Sequence, residues 1–149
     1  MTRVLRLGMV ALGLGAAALV GPVLQSAPTF GVGNQAIVIN LPPKGELSTT
    51  GQGVRFRVTV TCTNMVPAPI TVHLQQTRSQ TVVNGSGTSG TSYRCTGRSE
   101  RVPVIVLAPQ GAHFNPGGAT ATATATCGAS VCATATRNVV LFSPPSSQP

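Results

Sequence analysis

Between Ala119 and Phe142 the chain reads ATATATATCGASVCATATRNVVLF, two runs of period-two residues either side of Cys127-Gly128-Ala129-Ser130-Val131-Cys132. Alternation of small apolar and β-branched residues is the pattern of a pleated strand, whose successive side chains point to opposite faces. The four residues between the cysteines suffice for a hairpin loop, which a Cys127–Cys132 disulfide would clamp. One detail resists a simple hairpin. Cys127 shares its parity with Ala121, Ala123 and Ala125, whereas Cys132 shares its parity with Thr134 and Thr136. Either that face is mixed or a bulge resets the register.

All four cysteines, Cys62, Cys95, Cys127 and Cys132, lie beyond an N-terminal stretch that reads as an export signal. Arg3 and Arg6 precede Leu7–Leu24, which carries no charge, and small residues follow; the expected signal peptide is Met1–Ser26. Cleavage after Ala27 would place Pro28 directly beyond the scissile bond, so the cut is expected after Ser26. An uncleaved anchor is the rival reading, weakened by Gly8, Gly13, Gly15, Gly21 and Pro22 and by a length at the low end of the ~17–25 residues that span a bilayer. An even number of cysteines in a short exported chain implies disulfides. The expected pairing is Cys62–Cys95 with Cys127–Cys132; the alternative joins Cys62 to Cys127 or Cys132.

The formal charge is +8, or +6 once Arg3 and Arg6 are removed, with Glu46 and Glu100 the only acids. A surface with so few charges must be built from Thr, Ser, Asn, Gln and Gly. Aromatics are limited to Phe30, Phe56, Tyr93, Phe114 and Phe142, so the core must be aliphatic. The part after the signal, residues 27–142, suits one domain, and Ser143–Pro149 (SPPSSQP) reads as a disordered tail.

Strands are expected over Gln35–Leu41, Val54–Thr63, Ile70–Thr77 and Gln80–Val83, then around Cys95 over Tyr93–Gly97, over Arg101–Ala108, and in the two arms of the Thr-Ala hairpin. Val54, Phe56, Val58, Val60 and Cys62 alternate with Arg55, Arg57, Thr59, Thr61 and Thr63, the cleanest inward/outward pattern in the chain. Asn84–Ser92 (NGSGTSGTS) reads as a flexible connection with Asn84-Gly85 as a turn; Asn84-Gly85-Ser86 also matches a glycosylation acceptor, for which turn chemistry is the better explanation. Seven or eight short strands without a helix predict an all-β fold, an antiparallel immunoglobulin-like sandwich.

The strand ending in Cys62, Gln75-Gln76, Gly85-Ser86-Gly87, Cys95-Thr96-Gly97, Phe114-Asn115-Pro116-Gly117 and the Cys127…Cys132 hairpin follow one another in an order that resembles a family of small exported actinobacterial proteins of unknown function. The resemblance covers most of the chain after the signal and implies a secreted immunoglobulin-like sandwich with no established chemistry. The hairpin disulfide is also similar to that of the enediyne-carrying apoproteins, which implies, as an alternative, a small-molecule carrier. Those carriers are acidic and line their clefts with aromatics, in contrast to this chain.

Catalytic constellations are thin. Glu46 beside a Pro-Gly turn and Glu100 between Arg98 and Arg101 do not make a converging acid pair, and Glu100 reads as a surface ion-pair partner. The serines lie in Gly/Thr loops without a nucleophile elbow. His73, His113 and Met65 could bind a metal, but His73 falls on a polar strand face and His113 in a loop. No catalytic residue, metal site or cofactor is assigned. The arginines carry the most information: Arg55 and Arg57 share one outer face, and Arg94, Arg98 and Arg101 cluster around Cys95. Together they predict a basic patch for a protein or an anionic cell-envelope polymer. Nucleic acid is disfavoured because no aromatics interleave with the arginines. The expected function is that of a secreted, non-enzymatic binding or structural module.

Overall fold

Eight strands and no helix make up the structure, a computed structural model that describes residues 36–145. The expected export signal and residues 146–149 of the expected tail lie outside the described residues. The strands are β1 (Ala36–Asn40), β2 (Lys44–Leu47), β3 (Gly53–Thr63), β4 (Ile70–Arg78), β5 (Thr81–Thr88), β6 (Thr96–Leu107), β7 (Gly117–Cys127) and β8 (Ser130–Phe142). The alternation in β3 is realised as read: Val54, Phe56, Val58, Val60 and Cys62 are buried while Arg55 and Arg57 are exposed.

The expected sandwich is not what these strands build. They close into a seven-stranded barrel in the ring order β3-β2-β8-β7-β4-β5-β6, with β6 returning to β3. Antiparallel β3–β6 pairing runs from Gly53↔Leu107 to Thr61↔Ser99 and resumes at Thr63↔Thr96. The other edge of β3 is shared. β1 takes its C-terminal half, Ala36↔Thr63 to Asn40↔Thr59, and β2 takes its N-terminal half, Glu46↔Arg55 and Leu47↔Val54. Pro42-Pro43 separates β1 from β2; prolines cannot donate to a ladder, so pairing breaks there. Beyond the break β2 joins β8 in parallel, Lys44↔Val140 to Glu46↔Phe142, and the Val140 N–H donates to the Pro43 carbonyl at 2.9 Å. Closing the ring joins the β3 and β6 edges that an open sheet would leave free, while β1, paired only with β3, lies outside the ring.

Closure is narrowest between β5 and β6, which meet at the single pair Ser86↔Leu107. Here the first five residues of the expected Asn84–Ser92 connection, Asn84–Thr88, prove to be strand, and only residues 89–92 remain outside one. Asn84-Gly85-Ser86-Gly87 lies within β5, and the chain reverses earlier, at Ser79-Gln80 between the paired Arg78 and Thr81, with Ser79 at φ 53°. Gly85 and Gly87 point towards β6. A Cβ on Gly85 would lie 2.5 Å from the Leu107 carbonyl oxygen, and one on Gly87 would overlap the Ile105 carbonyl. These glycines serve close backbone approach rather than a turn. Of the segment expected over Tyr93–Gly97 only Thr96 and Gly97 are strand, and they run on through the expected Arg101–Ala108 segment as far as Leu107 to form the one long strand β6.

Aliphatic side chains fill the interior, among them Ile70, Val72, Leu74, Val102, Val104, Val106, Val139 and Leu141. Ala121, Ala123 and Ala125 line the β7 wall and are fully buried. Small residues on one wall leave volume for larger ones such as Phe56 and Leu74, the mixture by which narrow barrels pack.

Both disulfides form as expected, Cys62–Cys95 and Cys127–Cys132, with Cα separations of 4.5 and 5.7 Å. The parity conflict in the hairpin is resolved by a bulge. Ala125 pairs with Ala133 but Thr126 pairs with Val131, so Cys132 is the additional residue on β8. The loop is correspondingly shorter than the cysteine spacing suggests: Cys127 pairs with Ser130 around Gly128-Ala129, with Gly128 at φ 64°. Strand directions bring both disulfides to the same end of the barrel. Tyr93 plugs that end. Its hydroxyl donates to the Ala68 carbonyl at 2.5 Å and accepts from the Ala68 N–H at 2.9 Å. At the other end Phe114 is buried, and Gln76 accepts from the Asn115 N–H and donates to the Asn115 carbonyl, both at 2.8 Å.

Candidate functional site

Three of the five candidate arginines come together on the outer wall of β3 and β6. Arg55 and Arg57 project from β3, and Arg101 lies opposite Thr59 on β6, diagonal to Arg57. Diagonal neighbours on one face lie ~7–8 Å apart, within reach of side chains as long as arginine. The outward direction of this row is confirmed by Thr61 and Ser99, the next pair along, whose hydroxyls lie 2.7 Å apart. Arg94 and Arg98 are placed elsewhere. They are exposed at the disulfide end of the barrel, next to Cys95 and before β6 enters its continuous pairing with β3.

Glu100 has a different role from the expected ion pair. It lies opposite the buried Val60, and its Oε2 accepts from the Arg94 backbone N–H at 3.2 Å, holding the loop that carries Arg94. Glu46 stands opposite Arg55 and is the one carboxylate in register with the arginine wall. Arg57 and Arg101 face threonine and proline instead: Arg57 pairs with Pro103 and Arg101 with Thr59.

The same wall carries apolar residues that patterning alone did not single out. Ile105 stands opposite Arg55, Phe142 opposite Glu46, and Val140 opposite Lys44. Ile105, Val140 and Phe142 are 53%, 52% and 38% exposed, and Leu107 beyond them is 60% exposed. The wall is therefore basic and apolar together. In sequence these residues are spread over four strands, and only the β2–β8, β2–β3 and β3–β6 pairings assemble them.

The opposite wall, formed by β5, β4, β7 and the first half of β8, has another chemistry. Its register sets out three rows: Thr88–Thr71–Thr124–Thr134, Ser86–His73–Thr122–Thr136 and Asn84–Gln75–Thr120–Asn138. Hydroxyls pair across the strands, Thr71 with Thr88 at 3.0 Å and Thr122 with Thr136 at 3.1 Å, while Thr120 donates to Asn138 Oδ1 at 3.1 Å. An open depression of about 350 Å³ lies over the middle of this wall, lined by the side chains of His73, Gln75, Asn84, Thr120 and Thr122.

Among the described residues no group of three or more His, Cys, Asp or Glu gathers in a way that would hold a metal ion. Tyr93 has its hydroxyl pKa raised by burial, a shift opposed by its hydrogen bond with Ala68. That residue belongs to the barrel's end rather than to either wall. The two disulfides fit an oxidising, extracellular-type environment. No helix among the described residues is long and apolar enough to cross a membrane. No protein family, no curated protein and no solved structure matches this chain.

Proposed function

We propose that this chain is a secreted, non-enzymatic binding module that holds an anionic cell-envelope polymer against the β3–β6 wall. The observation that carries the reading is the register that aligns Arg55, Arg57 and Arg101 on one rigid face, two of them opposite uncharged residues. Guanidinium groups form paired hydrogen bonds with phosphate or carboxylate, and a sheet holds them at fixed spacing. The exposed Ile105, Leu107, Val140 and Phe142 beside them add apolar contact, so an acidic protein surface is the other partner this wall suits. Export rests on the Met1–Ser26 pattern and accords with the disulfides. Kinship with the small exported actinobacterial proteins rests on the order of turn glycines and cysteines. Carriage of a small molecule inside the barrel gains no support from an interior occupied by Phe56, Leu74 and the valines around them.

The test is retention of the exported protein on immobilised teichoic acid as salt is raised. The Arg55→Ala/Arg57→Ala variant should elute at markedly lower salt than the wild type. Arg78→Ala, which removes an exposed charge at the end of β4, should elute close to the wild type. Equal elution of all three proteins would remove the wall from consideration.

A further inference from the structure

We propose that the wall opposite the arginines is a second binding site, whose ligand is a neutral polysaccharide seated over the depression between β4, β5 and β7. The twelve outward positions in its three rows are Thr, Ser, Asn, Gln and one His, with no Lys, Arg, Asp or Glu among them. That composition selects the ligand by exclusion. A polyanion requires cations to displace its counterions. A protein partner draws most of its binding energy from Trp, Tyr and Arg anchors, and this wall has none. A neutral sugar chain presents hydroxyls that both donate and accept, which is the capacity these side chains offer in return.

The depression shows how recognition would work. Leu74 and Gly85 face inward and contribute main chain there, while His73, Gln75, Asn84, Thr120 and Thr122 stand around it. Thr120 and Thr122 are already oriented by Asn138 and Thr136 on β8, so their remaining acceptor positions point in set directions. None of those hydrogen bonds uses His73, Gln75 or Asn84, whose imidazole and amides remain for a ligand. Threonine methyls between the hydroxyls give the C–H faces of a sugar ring something apolar to rest on. β4 and β7, which carry His73, Gln75, Thr120 and Thr122, are paired on both sides and hold these side chains at fixed spacing, so little order has to be imposed there on binding.

The site is independent of the arginine wall, and the experiment separates them. The protein is incubated with insoluble cellulose, chitin, mannan and cross-linked dextran at high salt, which screens the basic wall. Retention is expected on at least one of the four. The Gln75→Ala/Asn84→Ala variant should bind about tenfold more weakly, the loss of one to two hydrogen-bonding side chains. Thr122→Val, which keeps the shape and removes the hydroxyl, should also weaken binding, and Arg55→Ala/Arg57→Ala should leave it unchanged. Thermal unfolding of each variant shows that the barrel is intact. Failure of the wild type to bind any of the four matrices overturns the proposal. So does unchanged binding by the Gln75→Ala/Asn84→Ala variant, or loss of binding in the arginine variant.

Discussion

Replacing Gly87 by alanine tests barrel closure where it is narrowest. The added Cβ would overlap the Ile105 carbonyl oxygen and lie 2.6 Å from the carbonyl carbon and 3.0 Å from Val106 Cα, where ordinary contact begins at 3.4 Å. All three atoms are backbone, so no rotamer change relieves the clash; β5 and β6 must move apart by roughly the ångström by which real Cβ contacts exceed these distances. Overpacking of this kind costs ~1–3 kcal/mol. Separation also breaks the Ser86–Leu107 bridge, adding ~1 kcal/mol per hydrogen bond lost. The expected destabilisation is about 2–4 kcal/mol, a large share of the ~5–15 kcal/mol that holds a domain folded. At ~4 °C per kcal/mol for a domain of this size, Tm should fall by roughly 8–16 °C. The control is Gly90→Ala, where only Ser92 Oγ, at 3.7 Å, would meet the new methyl; its stability should stay within ~1 kcal/mol of the wild type and tend upward. Calorimetry and denaturant unfolding with the disulfides oxidised give both numbers, and hydrogen exchange at Leu107 reports the bridge. A Gly87→Ala variant within about 0.5 kcal/mol of the wild type would mean that β5 and β6 do not touch, and the sheet would then be open.

Tyr93→Phe should cost ~1–3 kcal/mol in denaturant unfolding, because it strands both the N–H and the carbonyl of Ala68. The raised Tyr93 pKa also has a sign: the folded state holds this proton more tightly than the unfolded state, whose value is near 10.0. Its contribution is complete below that pH and is lost as pH rises through the higher folded value, so the variant should flatten the alkaline fall in stability. The disulfides should differ in weight. With sequence separations of 33 and 5, loop-closure entropy predicts losses of ~4 kcal/mol for Cys62→Ser/Cys95→Ser and ~2 kcal/mol for Cys127→Ser/Cys132→Ser; equal losses would contradict this. Gln76→Leu should cost ~1–3 kcal/mol and speed amide exchange at Asn115, whose N–H and carbonyl both lose a partner; protection at Asn115 equal to the wild type would show that Gln76 does not hold that loop.

Local chemistry was legible without coordinates. The period-two patterns marked most of the strands and their inward faces, because a pleat alternates whatever it is paired with. The cysteine arithmetic led to the right pairing, and the parity mismatch between Cys127 and Cys132 left a mixed face or a bulge, of which the structure has the bulge. Two glycines were misread. Asn84-Gly85 has the local signature of a turn, and nothing within the segment reveals that Gly85 and Gly87 face the backbone of a strand twenty residues further on. Gln76 carries no local sign of burial, since that depends on Asn115 and Gly118, some forty residues further on, lying over it. The four-residue strand β2 was hidden behind prolines and a glycine, yet it is the piece that joins β3 to β8.

The binding walls divide in the same way. Arg55 and Arg57 lie two residues apart on one strand, and their common face could be read directly. Arg101 joins them only because Thr59 pairs with it, while Arg94 and Arg98, closer to Arg101 in sequence, fall at the barrel's end. The uncharged wall was half visible in the Thr-Ala repeat; its depression required His73, Gln75 and Asn84 to be aligned beside that repeat by the β4–β7 and β4–β5 registers. By itself the sequence determined that the described residues form an all-β fold and which side of most strands faces inward, and it favoured the cysteine pairing that forms, since these follow from side-chain alternation and short loops. Whether the sheet stays open as a sandwich or closes as a barrel, and which side chains share a wall, was decided by tertiary structure. Those outcomes depend on pairing between strands distant in sequence, here the β3–β6 ladder and the β5–β6 approach, and no local pattern specifies a partner.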